Sequence, residues 1–494
     1  MSSSKQVNEY FHKRRAGLLL HLTSLPSTCP DGLHAGDTTR FIDFLAGTGF
    51  SIWQMLPVHP VDEYNSPYRG SSVFAGNPRF INVQEFYNKK WPPDNKPDSC
   101  YERIDSASDP IAEIQSYFDQ LATDSQRSDY EDFKHKHAGW IDDYALFSAI
   151  KQVYSGKSWW DWPQRLKTRN ATELLEFRNG YAGLVERYYF EQYLFFSQWH
   201  DLRAQANSKG ILLLGDMPMF TAHNSVDVWA HPDYFLLDSA GQPAAVSGVP
   251  PDYFSAIGQR WGTPLYRWSR IAEDGFCWWI NRLQTEFELF DIVRLDHFRG
   301  FDTVWEIPVH APTVDGAWKH VPGHELFQVL QSEFGPLPLI AEDLGYITPQ
   351  VTRLRCNFKL PGMKVLQFAF DSDDTNPYLP HNHEPDYLVC TGTHDTDTAL
   401  GWFTALDESQ KRRVLQHMRQ PDEPMPWPMI HTALGSVCQI AILPMQDLLG
   451  LDSFHRMNFP GTTQGNWQWR FEWDWLTSGL MEKLRQMNES YGRC

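Results

Sequence analysis

The chain has 494 residues, of which 42% are hydrophobic and 14% aromatic, so it can bury a sizeable core. Lys and Arg total 43 against 61 Asp and Glu, a formal net charge of −18 that argues against binding to nucleic acid or an anionic membrane. Seven scattered Cys form no CxxC pair, and no apolar run approaches the roughly 18 residues of a membrane span. We therefore expect a cytoplasmic protein.

Eight short apolar runs recur along the chain, and each ends in polar or charged residues. Near-continuous apolar runs of this length are typical of parallel strands buried on both faces. Segments with helical periodicity lie between most of them, for example residues 40–45 and 272–290. Eight strand–helix units predict an α/β fold, the (β/α)8 TIM barrel. The runs begin at Gly17, Ser51, Ile211, Ile292, Leu337, Met363, Tyr387 and Cys438.

Three intervals between or after these runs are too long for a simple crossover. We expect residues 1–494 to form a single catalytic barrel domain with helical and loop insertions around its C-terminal mouth. Residues of about 59–210 combine a Pro-rich stretch with charged, aromatic helical stretches, which predicts a mainly helical subdomain after the second strand. A loop-rich subdomain is expected at about 221–271 after the third strand, and a loop at about 447–475 after the eighth.

Acidic residues close four of the predicted strands. Asp216 ends the third, Asp296 the fourth, Glu342 the fifth, and Asp395 follows the seventh. In a barrel of this type the catalytic groups lie at the C-terminal ends of the strands, so these side chains should converge. Carboxylates on one rim suit acetal chemistry, because one can attack the anomeric carbon while a protonated one donates to the leaving oxygen.

The alternation of side chains along a strand sharpens this interpretation. Arg294 and Asp296 are two residues apart and should share one face, with Leu295 on the other. A neighbouring guanidinium favours the carboxylate form that a nucleophile requires. The structural alternative is an ion pair inside the barrel. Asp343 faces away from Glu342, which favours a supporting role.

Histidines near the strand ends raise the question of a metal site. His21, His297 and His394 all lie there, but none of the three belongs to an HxH pair, and the sequence has no HExxH and no carboxylate cluster at metal spacing. We predict no metal and no cofactor, and we expect the imidazoles to hydrogen-bond substrate hydroxyls. Glycine-rich phosphate loops of the GxxxxGK[ST] and GxGxxG types are absent as well.

Aromatic residues in loop-like segments favour sugar binding. A pyranose ring has an apolar face that stacks on Trp, Tyr or Phe. Most aromatic residues of the chain belong to its core, but those in Gly- and Pro-flanked loops are harder to bury. These loop clusters are residues 64–68, 251–254, 261 and 466–469.

Taken together, the motifs of this sequence resemble those of the 4-α-glucanotransferases of the amylomaltase or disproportionating-enzyme type, glycoside hydrolase family 77. They occur in order from about residue 15 to the end, so the resemblance covers essentially the whole chain. The matching segments are Ser66-Pro-Tyr68, Phe74-Ala-Gly-Asn-Pro78, Gly215-Asp-Met-Pro218, Val249-Pro-Pro-Asp-Tyr-Phe254, Gly258-Gln-Arg-Trp-Gly262, Val293-Arg-Leu-Asp-His-Phe-Arg-Gly300, Ala341-Glu-Asp-Leu-Gly345, Gly392-Thr-His-Asp395 and Arg456-Met-Asn-Phe-Pro-Gly461.

The resemblance implies specific roles. Asp296 would be the nucleophile, Glu342 the general acid and base, and Asp395 the stabiliser of the transition state. The substrate-binding residues would be Tyr68, Asp216, Arg294 and His394 around the reacting glucose, His297 and Trp261 in the pocket, Tyr253 and Phe254 beside the acceptor, and Asn458 over the groove.

The implied activity is retaining transfer of α-1,4-glucan segments from a donor to a maltooligosaccharide or glucose acceptor. An α-amylase-like hydrolase would use the same acids with water as acceptor, and residue types do not separate the two. A catalytically silent glucan-binding protein is disfavoured because all three carboxylates are present. A sugar-phosphate isomerase barrel is disfavoured because no Gly-rich loop follows the last strands.

Overall fold

The structure is a computed structural model that describes residues 10–26, 35–83, 109–251 and 257–494. Its strands in chain order are β1 (Arg15–Leu19), β2 (Ile52–Gln54), β3 (Leu212–Met217), β4 (Ala245–Val249), β5 (Gln259–Pro264), β6 (Ile292–Leu295), β7 (Thr303–Pro308), β8 (Ala317–His320), β9 (Leu339–Ala341), β10 (Gly362–Val365), β11 (Tyr387–Cys390) and β12 (Ile440–Pro444).

Eight of these strands form one parallel sheet in the order β10-β11-β12-β1-β2-β3-β6-β9. The sheet closes into a barrel between its two edge strands, β9 and β10. There the amide of Ala341, at the end of β9, donates to the carbonyl of Pro361, just before β10, at 2.8 Å. Each of the eight predicted runs overlaps one of these strands, with β1 and β10 beginning one or two residues earlier than predicted. The predicted (β/α)8 barrel is therefore confirmed.

The barrel interior explains why acidic residues meet at one end. A buried apolar cluster takes at least one residue from every strand of the barrel, including Leu214, Ile292 and Ile340. Side chains two residues further along a strand point the same way. Those positions are Asp216, Arg294 and Glu342, so the inward rows change from apolar to charged at the carboxyl ends.

Helices surround this barrel, and others form part of the segments inserted between its strands. None of those described is long and apolar enough to cross a lipid bilayer. In chain order they are α1 (Ala35–Gly47), α2 (Pro110–Leu121), α3 (Asp124–Lys136), α4 (Ile141–Val153), α5 (Gln164–Lys167), α6 (Ala171–Gly180), α7 (Ala182–Ser208), α8 (Val226–Ala230), α9 (Trp268–Glu273), α10 (Cys277–Leu289), α11 (Gly323–Phe334), α12 (Pro349–Asn357), α13 (Ala399–Ala405), α14 (Glu408–Gln416), α15 (Trp427–Leu434), α16 (Met445–Leu448) and α17 (Ser478–Ser490).

The insertion between β2 and β3 holds α2 to α7. Asp109 caps α2 by accepting from the amides of Ile111 and Ala112, and it also pairs with Arg187 on α7. The indole of Trp199 on α7 donates to the carbonyl of Leu289 at 2.8 Å, at the end of α10. These contacts tie the helical insertion to α10, the helix that leads into β6.

A second sheet, in the order β5-β4-β7-β8, is antiparallel and was not expected from the sequence. Its strands β4 and β5 lie within the 221–271 interval, whose sequence predicts loops. They contain Gly248, Gly262 and Pro264, so neither shows a clear alternation of apolar and polar residues. β4 also pairs with β7, which follows β6, and a pairing so distant along the chain leaves no local pattern.

Candidate active site

One buried guanidinium organises the charged end of the barrel. Arg294 Nη1 lies 2.7 Å from both carboxylate oxygens of Asp216 and 3.0 Å from Asp296 Oδ1. Its Nη2 lies 4.0 Å from Glu342 Oε2. Burial opposes the charge on Arg294, but the surrounding carboxylates outweigh it and raise its pKa above the usual range. Three strand-end carboxyl groups therefore converge on one cation.

Glu342 is also largely buried, with its side chain 12% exposed. Its oxygens accept from the amides of His297 at 2.7 Å and Leu344 at 3.1 Å. Burial is the main cause that raises the pKa of Glu342 from 4.5 to about 8, and the charge of Asp296 adds to it against the opposing effect of Arg294. The group is therefore protonated at neutral pH.

Asp395 lies across the mouth in a different environment, with its side chain 51% exposed. It accepts from Asn458 Nδ2 at 2.6 Å, and its second oxygen lies 3.2 Å from His394 Nε2. Desolvation opposes its charge, but His394 and the bond from Asn458 prevail and lower the pKa of Asp395 to about 2. Burial likewise disfavours a charged His394, yet Asp395 raises the pKa of that imidazole.

Tyr68 connects the two sides of the mouth. Its hydroxyl donates to Asp216 Oδ2 at 2.7 Å. Its ring stacks on His394, with centroids 5.1 Å apart and planes 15° from parallel. Burial, with a further contribution from Asp216, raises the pKa of Tyr68 well above 10, so the hydroxyl remains a donor.

The aromatic wall beside Glu342 is formed by Trp261, His297 and Phe220. The rings of Trp261 and His297 meet edge to face at 4.8 Å, and Phe220 lies within about 6 Å of both. Burial lowers the pKa of His297 to about 4, so the imidazole is neutral. His297 has left-handed backbone angles (φ 49°), a turn that places its amide against Glu342.

Asp343 points away from the mouth, as the alternation along β9 predicts. It accepts from the amide of Met363 at 2.8 Å and lies 3.2 Å from Arg355 Nε. A Cβ built at Gly362 would fall 2.6 Å from this carboxylate, which explains the glycine at the start of β10. Asp343 thus supports the join between β9 and β10.

The structure brings together most residues that the sequence singles out. Around the mouth lie Tyr68, Asp216, Trp261, Arg294, Asp296, His297, Glu342, His394, Asp395 and Asn458. Tyr253 and Phe254 lie outside the described residues. Within the described ranges, no three His, Cys, Asp or Glu side chains are grouped so that they could hold a metal ion.

Comparison with known proteins identifies the family of this chain. The model of the 4-alpha-glucanotransferase family matches residues 20–477. A 4-alpha-glucanotransferase of Thermus thermophilus is 43% identical over 495 residues, covering 97% of this chain and 99% of the relative. This chain belongs to the 4-alpha-glucanotransferase family. The resemblance seen in the sequence motifs is confirmed.

Two further matches agree with this assignment. A 4-alpha-glucanotransferase of Synechocystis sp. is 41% identical over 97% of this chain and 98% of its own length. The amylomaltase of Streptococcus agalactiae, solved in complex with acarbose, is 34% identical and superposes with a TM-score of 0.90 over 97% of this chain and 100% of that one. The chain is thus an enzyme with 4-alpha-glucanotransferase activity of the amylomaltase type.

Two residues of this glucanotransferase site were not singled out from the sequence. Arg456 Nη2 donates to the carbonyl of Asp395 at 3.0 Å, and its Nε donates to the carbonyl of Asn458 at 3.2 Å. Trp467 lies within about 6 Å of the rings of Tyr68 and His394. Arg456 lies in a family motif and Trp467 in an aromatic loop. The bonds of Arg456 end on backbone carbonyls, which leave no sequence signal.

Proposed function

We propose that this enzyme disproportionates α-1,4-glucans by a retaining, two-step mechanism through a covalent glucosyl-enzyme. The observation that carries the proposal is the Arg294 guanidinium between Asp296 and Glu342. It contacts the carboxylate of Asp296 directly, while burial keeps Glu342 protonated. A nucleophile beside a protonated acid is the arrangement that retaining glycoside cleavage uses.

In the first step, an oxygen of Asp296 forms a bond to C1 of the donor glucan as the bond from C1 to the glycosidic oxygen breaks. Glu342 gives its proton to that oxygen, and the reducing-end fragment leaves as an alcohol. Asp395, ionised and open to the mouth, faces the positive charge that develops on the sugar ring. The product is a β-linked glucosyl-enzyme.

In the second step, the 4-hydroxyl of an acceptor glucan or of glucose loses its proton to Glu342. Its oxygen then bonds to C1 as the bond from C1 to Asp296 breaks. Two inversions at C1 retain the α configuration. The acceptor outcompetes water when it is held in place, since well-positioned groups reach effective molarities of about 10⁵ M or more.

The remaining residues would bind the sugars. Tyr68, Asp216, Arg294 and His394 surround the position of the reacting glucose next to Asp296, and Asn458 orients Asp395 above it. Trp261 and His297 would stack against the sugar beside Glu342, and the loop with Tyr253 and Phe254 would flank the acceptor. We place the enzyme in the cytoplasm, where its free cysteines, among them Cys390 and Cys438, stay reduced.

Incubation with maltotriose tests the proposal. Transfer yields glucose together with a ladder of maltotetraose and longer products, whereas glucose and maltose alone would identify a hydrolase. Asp296→Ala should abolish product formation, and Asp201→Ala, at an exposed carboxylate on α7, should not change it. Mass spectrometry of Glu342→Gln incubated with an activated glucosyl donor should detect a glucosyl group on Asp296. Turnover by Asp296→Ala would contradict the assignment.

A further inference from the structure

Two exposed aromatic residues lie on the rim of the barrel, outside the site described above. Trp318 is on β8, the edge strand of the antiparallel sheet, and its side chain is 36% exposed. Tyr346 follows β9 and is 75% exposed. Contiguous exposed apolar patches mark binding sites, whereas single exposed apolar residues are common on protein surfaces.

One buried guanidinium holds both rings in place. The guanidinium carbon of Arg299 lies 3.8 Å from the centre of the Trp318 ring and 5.3 Å from that of Tyr346. Arg299 Nη1 also donates to the carbonyl of Tyr346. Trp318 also packs edge to face against Trp305, its neighbour on β7, with ring centroids 5.1 Å apart. The two aromatic residues are therefore fixed by neighbouring groups.

The pair is continuous with the catalytic residues along the chain. Tyr346 is four residues after Glu342, so its Cα lies within about 14 Å of that of the acid. Arg299 is three residues after Asp296, and the preceding amide, of Phe298, donates to the carbonyl of Glu342 at 3.1 Å. The pair lies beside the ends of β6 and β9, on the side of the mouth where Glu342 exchanges its proton with the leaving and incoming sugar.

The chemistry of this surface selects a neutral, extended ligand. Arg299 is only 7% exposed and its guanidinium is stacked against aromatic rings, so it offers little charge to a phosphate or carboxylate. What remains exposed is most of Tyr346 and part of Trp318, aromatic surface that suits the apolar face of a sugar. Because the rings do not contact the catalytic carboxyl groups in the part of the chain that the structure describes, a glucan must extend beyond the cleaved bond to reach them.

We propose that Trp318 and Tyr346 form a remote subsite that binds the acceptor-side part of long α-1,4-glucan chains, an inference that rests on the proposed function. The subsite raises the efficiency with amylose relative to maltotriose. It does so through binding, because neither ring touches Asp296, Glu342 or Asp395 among the contacts of the described residues.

The test compares substrates of different length. In the double variant Trp318→Ala/Tyr346→Ala, the ratio of kcat/KM for amylose to kcat/KM for maltotriose should fall about tenfold, mainly through KM for amylose. Tyr181→Ala, at a 43% exposed tyrosine before α7, is the matched control and should keep the wild-type ratio. An unchanged ratio, or equal losses with both substrates, would overturn the proposal.

Binding without turnover separates this inference from the proposed function. Affinity electrophoresis through gels that contain amylose should retain the wild type and the Tyr181→Ala control more strongly than the double variant. Equal retention would overturn the subsite. If the double variant loses retention while the wild type makes no transfer products from maltotriose, the transferase mechanism fails and the glucan subsite stands.

Discussion

The two sides of the barrel mouth hold their carboxylates by different means. On one side, Asp216, Asp296 and Glu342 continue the inward rows of β3, β6 and β9 and converge on Arg294. On the other, Asp395 follows β11 in a loop and is held by the loop after β12 through Asn458 and Arg456. We call these the strand side and the loop side.

The difference appears in the protonation of the acids. Glu342, on the strand side, is buried and its pKa is raised to about 8, whereas Asp395, on the loop side, is half exposed and its pKa is lowered to about 2. Environments that separate two carboxyl pKa values in this way assign the proton donor and the permanent anion. The buried strand side therefore suits a proton donor, and the more exposed loop side suits a permanent anion.

The strongest test of the strand side is Glu342→Gln, which keeps the shape but removes the transferable proton. We expect kcat with maltotriose to fall by about 10³-fold, within the range for general acid catalysis. A donor with an activated leaving group needs no proton in the first step, so its rate of glucosyl-enzyme formation should remain near wild type. Equal losses with both donors would show that Glu342 serves another purpose.

The matched control is Asp343→Asn, at the neighbouring carboxylate that faces away from the mouth. This change weakens the contacts to Arg355 and the amide of Met363. It should lower the melting temperature. Any loss of enzyme activity should be the same with the activated donor as with the natural donor.

The second test, Arg294→Lys, removes the guanidinium on which the carboxyl groups of the strand side converge. A lysine cannot reproduce the contacts that Arg294 makes with Asp216 and Asp296 at once. We expect kcat to fall about 100-fold, as for other losses of a buried electrostatic partner. Arg355→Lys, at a buried arginine outside the mouth, should reduce stability with less than a tenfold change in kcat. Similar kcat values for the two variants would contradict a central role for Arg294.

The same comparison explains what the sequence could predict. The strand side could be predicted because side chains two residues apart on a strand share one face. Leu214, Ile292 and Ile340 point into the barrel, so the charged residues two positions later point into its mouth. The loop side depends on chain segments about sixty residues apart, and its bonds from Arg456 end on backbone carbonyls that any residue provides. The second sheet was not predicted for a similar reason. Its strand β4 pairs with β7, and the barrel strand β6 lies between the two in the sequence.

A third test uses pH. Because the pKa of Glu342 is about 8, the proton needed in the first step is lost above that value, and kcat/KM for maltotriose should fall about tenfold per pH unit beyond it. Asp395, with a pKa of about 2, should add no change near neutrality. Activity that stays constant from pH 6 to pH 10 would contradict this assignment.

The raised pKa of Glu342 also affects stability. Between pH 4.5 and about 8 the folded protein keeps a proton that the unfolded chain has lost, so the free energy of unfolding decreases as pH rises through this window. Glu342→Gln should therefore raise the melting temperature relative to wild type more at pH 8 than at pH 5. A difference that does not depend on pH would refute the raised pKa.

The smallest expected effect concerns the loop side. Asn458→Ala removes one hydrogen bond to Asp395 but leaves His394, so we expect kcat to fall about tenfold, about 1.4 kcal/mol. Arg456→Met, which frees the carbonyls of Asp395 and Asn458, should cost about threefold because its effect on the sugar is indirect. If Arg456 acts by positioning Asn458, the double variant should lose little more than Asn458→Ala alone, since a misplaced Asn458 and an absent one are nearly equivalent. Additive losses would instead mean that the two residues act on Asp395 independently, and the loop after β12 would then hold the carboxylate by two separate contacts.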